Sequence, residues 1–344
     1  MRALVVSNML PDARHPERGR FVRDQVDALR RLPAVEVELY EFPPGPSALV
    51  DAARRLRRRH GRQRMDVVHA HFGLTAWPAL AVRARVRGLT VHGTDVRHPR
   101  TRLATRAVLP LMDLIAAPTP ELAHALPGRA ARRAQVLPSG VDLERFRPIP
   151  RAQARAELGL DSGTPHLLFP ADPRRPGKRY DRALALARAL PTAAAPSRAS
   201  EHSAAGLQPP GGAIPPVPLH TLGGVPPERV PLWVNAANAV VVPSEAEGFG
   251  LAVLEALACD VPVLATPVGV HPQALAGVAG ALCAPFEVGR WRAALEPHLR
   301  APDPRIAGRA HAKPFSATRT AERLAEAWRA LLAQQAALDG GRGG

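Results

Sequence analysis

The chain has 344 residues, 46% of them hydrophobic, and a net charge of +16; this is enough for two ordinary domains with buried cores and excludes a disordered chain. No apolar run approaches ~20 residues, which excludes a bilayer-spanning helix, and the apolar stretch at residues 3–6 is too short for a secretory signal. We therefore expect a cytoplasmic protein. The two cysteines, Cys259 and Cys283, are too few for a disulfide framework and are expected to be small core residues.

The positive charge comes almost entirely from arginine, because the only lysines are Lys178 and Lys313. Residues 1–150 carry +12 of the net charge, and the densest cluster lies at residues 54–59. Three explanations stay open: an arginine-rich composition, a face that binds an anionic membrane surface at about 1 kcal/mol per basic residue, or nucleic-acid binding. Aromatic residues make up 4% and no nucleic-acid-binding motif occurs, so we expect no nucleic-acid partner.

Short apolar runs alternate with helix-like stretches along the first half of the chain. Residues 21, 22, 26, 29 and 32 are apolar at helical spacing and predict an amphipathic helix. Apolar runs predict strands, in chain order, at residues 4–6, 35–39, 66–70, 89–92, 115–117 and 135–137. This alternation is typical of a parallel sheet with helices on both faces.

The pattern then repeats in the second half. Strands are predicted at residues 166–169, 219–222, 239–242 and 261–264, and helices at residues 181–190 and 321–338. Residues 191–218 are rich in Pro, Ala, Ser and Gly and predict a disordered insertion. We therefore predict one Rossmann-like domain over residues 1–148 and a second over residues 149–316. Residues 317–344 would form a helix that packs back toward the first domain, followed by a flexible tail.

A Gly-rich turn follows the predicted strand at residues 239–242 and leads into a predicted helix. In an open parallel sheet, ligands bind beyond the carboxyl ends of the strands, and a helix N-terminus offers free N–H groups and a positive dipole end. Gly248 and Gly250 let the backbone approach such a ligand closely. The turn therefore predicts a site for a phosphate or diphosphate.

Two glutamates flank this turn. Glu255 lies roughly 7–8 Å along the helix, at ~1.5 Å per residue, which suits a ribose attached to a phosphate at the helix tip. Glu247 lies before the helix, where it could bind sugar hydroxyls. The two acids would then hold opposite ends of one nucleotide-sugar. In the alternative interpretation, Glu247 caps the helix and Glu255 is solvated.

Residues 243–266 closely resemble the signature of retaining glycosyltransferases of the group-1, glycosyltransferase family 4-like type. Other segments match that family in chain order, at residues 14–22, 92–95 (His-Gly-Thr-Asp), 136–146 and 168–181. The resemblance covers nearly the whole chain except residues 191–218. It implies the α/β GT-B fold, in which two doubly wound Rossmann-like domains face a cleft.

The resemblance also implies roles for individual residues. Lys178 and Arg175 would neutralise the donor diphosphate, and the adjacent Arg174 could substitute for Arg175. His92 would face the donor sugar and, with Glu247, would complete the catalytic set. The donor-binding residues that the resemblance implies are Gly19, Asp95, Gly248, Phe249, Gly250, Leu251 and Glu255. The alternatives are a plain surface role for Lys178, a structural His92 and an ordinary surface turn at Gly19.

Some positions depart from the family pattern or carry no motif. The departures are Ser139, Asp260, Val270 and Gln273. The last two border the donor in the family, so the sugar preference could differ. His69 and His71 lie two residues apart on one strand, but no carboxylate or Cys stands nearby at metal spacing. We therefore favour lining of the site for both over metal binding.

The reaction implied by the resemblance is transfer of a hexose, with retention, from a UDP- or GDP-sugar to an acceptor hydroxyl. No Asp-x-Asp motif is available for Mg²⁺, so we expect neither a metal nor a cofactor. The arginine cluster suggests an acceptor glycan or lipid-linked sugar, used in envelope polysaccharide or glycolipid synthesis by a protein peripheral on the inner membrane face. Two alternatives stay open: a sugar-nucleotide 2-epimerase of the same fold, and a catalytically decayed, membrane-docked binding protein.

Overall fold

The computed structural model describes residues 1–190 and 217–340. The chain forms two compact units, one made of Met1–Asp142 with Phe315–Gly344 and the other of Leu143–Pro314. The sequence places the corresponding junctions after residues 148 and 316. The predicted insertion at residues 191–218 falls almost wholly outside the described residues.

Each unit contains one parallel sheet. The first has six strands in the order β2-β1-β3-β4-β5-β6, and the second has five in the order β11-β10-β9-β7-β8. In chain order the strands are β1 (Arg2–Ser7), β2 (Glu36–Glu41), β3 (Arg64–His71), β4 (Arg83–Thr90), β5 (Leu114–Ala117), β6 (Gln135–Val136), β7 (Leu167–Phe169), β8 (Leu219–Thr221), β9 (Ala239–Val242), β10 (Val263–Ala265) and β11 (Leu282–Cys283).

Helices fill the connections between the strands. In chain order they are α1 (Arg20–Arg30), α2 (Pro46–His60), α3 (Gly73–Ala79), α4 (Thr94–Arg97), α5 (Pro99–Val108), α6 (Pro120–His124), α7 (Gly128–Arg133), α8 (Arg151–Leu158), α9 (Tyr180–Ala189), α10 (Val230–Ala236), α11 (Leu251–Ala258), α12 (His271–Leu275), α13 (Val288–Arg300), α14 (Arg309–Ala312) and α15 (Ala317–Gly340). Short 3-10 turns lie at Leu109–Leu111, Pro176–Lys178 and Lys313–Phe315.

Both faces of the first sheet are covered. On one face α1 and α15 pack around the buried Val26 and Trp328. On the other face α2, α3, α5 and α6 pack around Leu56 and Leu122. Successive residues of β1 alternate between the two clusters, as expected of a parallel strand that is buried on both faces.

The second sheet carries α9 and α13 against one face, where Trp291 is fully buried together with Phe169 and Leu264. The helix α11 contacts β9 and β10. Its buried residues make α11 the most apolar connection of this unit and anchor the turn that precedes it.

These arrangements confirm the predicted pair of doubly wound α/β domains. The ends of the strands differ from the prediction most at β4, which runs over Arg83–Thr90 rather than residues 89–92. Cys259 is buried as expected, but Cys283 is only half-buried. Within the described ranges, none of the helices combines the length and apolar character that crossing a membrane requires.

Candidate active site

The second sheet has a switch point between β7 and β9. Because β7 lies between β8 and β9, the chain leaves β7 toward one edge of the sheet and then continues toward the other. In open α/β sheets, the crevice beyond the carboxyl ends of the strands at such a point is the usual ligand site. Residues 170–179 leave the sheet here after β7, and residues 243–250 leave it after β9.

An ion pair joins these two loops. Lys178 Nζ lies 2.7 Å from Oε1 and 2.6 Å from Oε2 of Glu247 and donates to both oxygens. The backbone joins the same loops, since Glu245 N donates to Gly177 O over 2.9 Å. Glu247 is 8% exposed and the side chain of Lys178 is 20% exposed. The pair is therefore shielded from most of the solvent.

The charge of Glu247 depends on two opposing effects. Burial alone would raise the pKa of Glu247, because removal from water disfavours the carboxylate. The ammonium of Lys178 outweighs burial and holds the pKa of Glu247 below its usual range. Glu247 is consequently a carboxylate at neutral pH, with its negative charge directed at Lys178.

The N-terminal tip of α11 presents backbone groups, because no side chain caps the helix. Gly250 caps the helix without a side chain and adopts a φ of 107°, a left-handed conformation that other residues rarely adopt. A Cβ at this position would lie 2.4 Å from Nε2 of His271, so only glycine fits. Gly269 is required similarly, because its φ is 60° and a Cβ would lie 2.3 Å from the Phe249 carbonyl oxygen. A helix tip with N–H groups and no capping side chain suits an anion.

Sequence reasoning missed His271 and the role of Gly269. His271 is fully buried, and its Nδ1 lies 2.9 Å from the carbonyl oxygen of Thr266, which can only accept, so Nδ1 carries the proton. Among the described residues, Nε2 has no hydrogen-bond partner. Burial lowers the pKa of His271. No periodic pattern marks this residue, since it stands between Val270 and Pro272 at a loop end.

The structure brings the other predicted residues of the second unit to the same edge. A continuous segment at the tip holds Gly248, Phe249, Gly250 and Leu251. Glu255 is half-buried on α11, about 6 Å beyond Leu251 at ~1.5 Å per residue. Arg175 is exposed in the loop after β7. The adjacent Arg174 instead bonds Asp172 with an Nη2–Oδ2 distance of 2.8 Å.

The predicted residues of the first unit also lie at the carboxyl edge of their sheet. His92 follows β4, and the Asp95 carboxylate accepts from His92 N over 2.9 Å and from Gly73 N over 3.2 Å. Gly19 precedes α1 with a φ of 70°, and a Cβ there would lie 2.4 Å from the carbonyl oxygen of Met9. The turn after β4 and the loop before α1 are thus fixed by their own contacts.

Three histidine rings lie close together behind this edge, and two of them share a hydrogen bond. His71 Nδ1 lies 2.9 Å from His92 Nε2. His69 Nδ1 accepts from Trp328 Nε1 over 3.2 Å, so His69 Nε2 carries the proton and donates to Thr90 Oγ1 over 2.7 Å. Burial lowers the pKa of His71 to about 3 and holds the pKa of His69 and His92 well below the usual range. All three rings are therefore neutral at pH 7.

The prediction that His69 lines the site is wrong. His69 is fully buried, with its ring 5.5 Å from that of Trp328. His71 is also buried, but it reaches the predicted site residue His92 directly.

Two family profiles match this chain. Residues 217–307 match the glycosyl transferases group 1, and residues 5–145 match glycosyltransferase family 4. A D-inositol 3-phosphate glycosyltransferase from Frankia alni is 33% identical over 339 residues, which cover 86% of this chain and 80% of that protein. The chain belongs to the group-1 glycosyltransferases of the family 4 type. A protein of the same name from Arthrobacter sp. is 30% identical, covering 94% of this chain and 83% of its own length.

Solved structures with low sequence identity share the fold of this glycosyltransferase. Sucrose-phosphate synthase from Thermosynechococcus elongatus has a TM-score of 0.73 and 17% identity, covering 97% of this chain and all of its own (100%). Anabaena Alr3699/HepE in complex with UDP-glucose has a TM-score of 0.64 and 15% identity, covering 96% of this chain and 100% of its own. These neighbours identify the two-domain architecture as GT-B.

Proposed function

We propose that this glycosyltransferase moves a hexose from a nucleotide-diphosphate sugar to an acceptor hydroxyl, with retention at the anomeric carbon. The observation that carries the proposal is the position of the Lys178–Glu247 pair beside the tip of α11, at the switch point of the second sheet. A backbone anion site with a half-buried cation and a buried carboxylate beside it matches the chemistry of a nucleotide-sugar.

The diphosphate would bind at residues 249–251, where N–H groups and the helix dipole favour negative charge. Lys178 donates two of its three N–H groups to Glu247, so the third remains for a phosphate oxygen without loss of the pair. Arg175 supplies a second cation from the same loop. Both cations would stabilise the charge that grows on the leaving diphosphate.

The two glutamates would bind the sugars on either side of the diphosphate. Glu255, on the half-buried face of α11, would accept hydrogen bonds from the ribose diol. Glu247 would accept from hydroxyls of the transferred hexose. For His92, Asp95 and Gly19 of the first unit, the part in donor binding that the family resemblance implies stays a prediction.

The bond changes need no protein nucleophile. The bond from the anomeric carbon to the diphosphate breaks, and the acceptor oxygen bonds to the same face of that carbon. The departing phosphate oxygen takes the acceptor proton, so the products are a glycoside and a nucleoside diphosphate. We propose that no metal is required, because Lys178, Arg175 and the helix tip supply positive charge where it develops. Activity retained in EDTA would support this assignment.

The donor nucleotide is UDP or GDP, and the acceptor is an envelope glycan or lipid-linked sugar in polysaccharide or glycolipid synthesis. The UDP-glucose complex of the Anabaena neighbour favours UDP as the first donor to test. The name of the bacterial relatives adds D-inositol 3-phosphate to the acceptors worth testing.

The test incubates the purified protein with UDP-glucose or GDP-mannose, each with and without an acceptor. We expect nucleoside diphosphate to be released only when an acceptor is present, and the product anomer, read by NMR, to match the donor. Conversion of the donor to its 2-epimer without acceptor would instead identify an epimerase. A protein that binds neither UDP nor GDP would have a decayed site.

A further inference from the structure

One surface of the first unit exposes a group of large apolar side chains, which solubility in water does not require. Among the described residues, seven large hydrophobic side chains are exposed, and four of these lie on α2, α3, α5 and the 3-10 turn after α5. These four are Val50, Trp77, Leu103 and Leu111. Leu103 is 72% exposed and Trp77 is 41% exposed.

The elements that carry these side chains form one continuous surface. The helix α3 contacts both α2 and α5, and α5 contacts the following turn. Trp77 Nε1 donates to the carbonyl oxygen of Ala104 over 3.2 Å, which holds the indole of α3 against α5 beside Leu103. The opposite sides of the same helices share one buried cluster, so their outward sides face solvent together.

The same surface is strongly basic. All five arginines within residues 54–59 of α2 are exposed, and so are Arg100, Arg102 and Arg106 of α5. Neither α3 nor α5 contains an acidic residue, and α2 contains only Asp51, which lies 3.7 Å from Arg54. We call the outward sides of α2, α3 and α5, with Leu111, the arginine face.

We propose that the arginine face docks on an anionic lipid bilayer. Arginines attract the negative headgroups, while Leu103 and Leu111 enter the boundary between headgroups and acyl chains. Trp77 suits the same boundary, because its ring is apolar and its N–H is already bonded within the protein. Nucleic acid would be attracted by the arginines alone and would gain nothing from exposed leucines.

The test is sedimentation with vesicles of phosphatidylcholine, with and without phosphatidylglycerol, at low and high salt. We expect binding only to the anionic vesicles, weakened by salt because the charges are exposed. Leu103→Ser should weaken that binding by about tenfold, since a leucine then stays out of the bilayer. Fluorescence should shift to the blue on binding, and Trp77→Phe should remove most of that shift.

The matched control is Leu338→Ser, which removes another leucine of similar exposure (66%) from α15, a helix that packs on the opposite face of the sheet. Equal vesicle binding by Leu103→Ser and Leu338→Ser would overturn the proposal. So would binding that depends on Arg102 and Arg106 but not on Leu103, because that pattern identifies a general polyanion site. If the parent protein is a dimer that does not bind vesicles, and Leu103→Ser converts it to a monomer, the arginine face contacts a second copy of this chain instead. None of these readouts depends on glycosyl transfer.

Discussion

Acidification should destabilise the first unit well above the pH at which carboxylates titrate. Burial lowers the pKa of His71 to about 3, whereas an unfolded histidine has a pKa near its ordinary value of 6.5. Between these values the unfolded state binds a proton that the folded state does not. The free energy of unfolding therefore falls as the pH drops below 6.5, by about 1.4 kcal/mol per pH unit once the unfolded imidazole is fully protonated.

The size of the effect follows from this linkage. From pH 7 to pH 5, His71 alone should remove about 2 kcal/mol from the free energy of unfolding. Burial lowers the pKa of His69 and His92 as well, so both add to the loss in the same direction. Asp95 and Glu41 act in the opposite direction, because burial raises the pKa of both carboxyls and the folded state takes up their protons earlier. Three histidines against two carboxyls leave a net loss, which is a large fraction of the ~5–15 kcal/mol stability of a typical domain.

Urea unfolding at pH 7, 6 and 5 measures this loss. Replacing Trp233 and Trp291 by Phe leaves Trp77 and Trp328, both in the first unit, as the fluorescent reporters. In this background His71→Asn replaces the imidazole by an amide that can still form hydrogen bonds but cannot titrate, so it should reduce the loss between pH 7 and pH 5 by about 2 kcal/mol.

The matched control is His98→Asn, which replaces an exposed histidine of the same unit in the same way. If His71→Asn and the parent lose the same free energy between pH 7 and pH 5, the assignment of His71 as a buried neutral ring is wrong.

Three further predictions concern the second unit. Glu255→Ala should weaken UDP or GDP binding about tenfold or more in calorimetric titration, since a charged hydrogen bond is worth about 1.5–3 kcal/mol, and unchanged affinity would rule out the ribose role. Lys178→Ala should mainly lower kcat in transfer assays. It should also lower the free energy of unfolding of the second unit, measured in urea, by about 3–5 kcal/mol, because Glu247 then stays buried without a counter-charge. A variant as stable as the parent would contradict this account of the pair. Gly250→Ala should abolish nucleotide binding, since its Cβ would lie 2.4 Å from a buried histidine nitrogen, whereas Gly177→Ala, with open space around it, should bind normally.

The sequence predicted the strands best where apolar residues run together. At β4 it failed, because arginines at positions 83, 85 and 87 alternate with Ala, Val and Gly and hide the strand. The structure places Arg85 3.8 Å from Asp66 of the neighbouring strand β3. Arginine can occupy such positions because its stem packs along the sheet while its guanidinium reaches a charge or solvent. A prediction from apolar residues alone therefore starts this strand at residue 89, whereas β4 begins at Arg83.

Contacts between residues that lie far apart in the chain could not be predicted from the sequence. The spacing of His69 and His71 shows that both side chains share one face of β3, but not that α15 covers that face. Trp328, which bonds His69, lies 259 residues away in the chain. The ion pair at the candidate site depends equally on strand order, because Lys178 and Glu247 meet only if β9 lies beside β7 rather than beside β8. The motif pointed to both residues, and the strand order brings them into contact.

The Lys178–Glu247 pair explains why one of the only two lysines of this arginine-rich chain stands in the loop after β7. Both carboxylate oxygens lie within 2.7 Å of a single nitrogen, and Glu247 is buried. An ammonium satisfies both oxygens and still directs a third N–H elsewhere, whereas a guanidinium would spread its charge over a planar fork that pairs with one carboxylate edge. The proposed donor site, which would hold a carboxylate and face a diphosphate at once, therefore favours lysine. Lys178 thus departs from the arginine-rich composition of the chain, and the chemistry of the pair accounts for this departure.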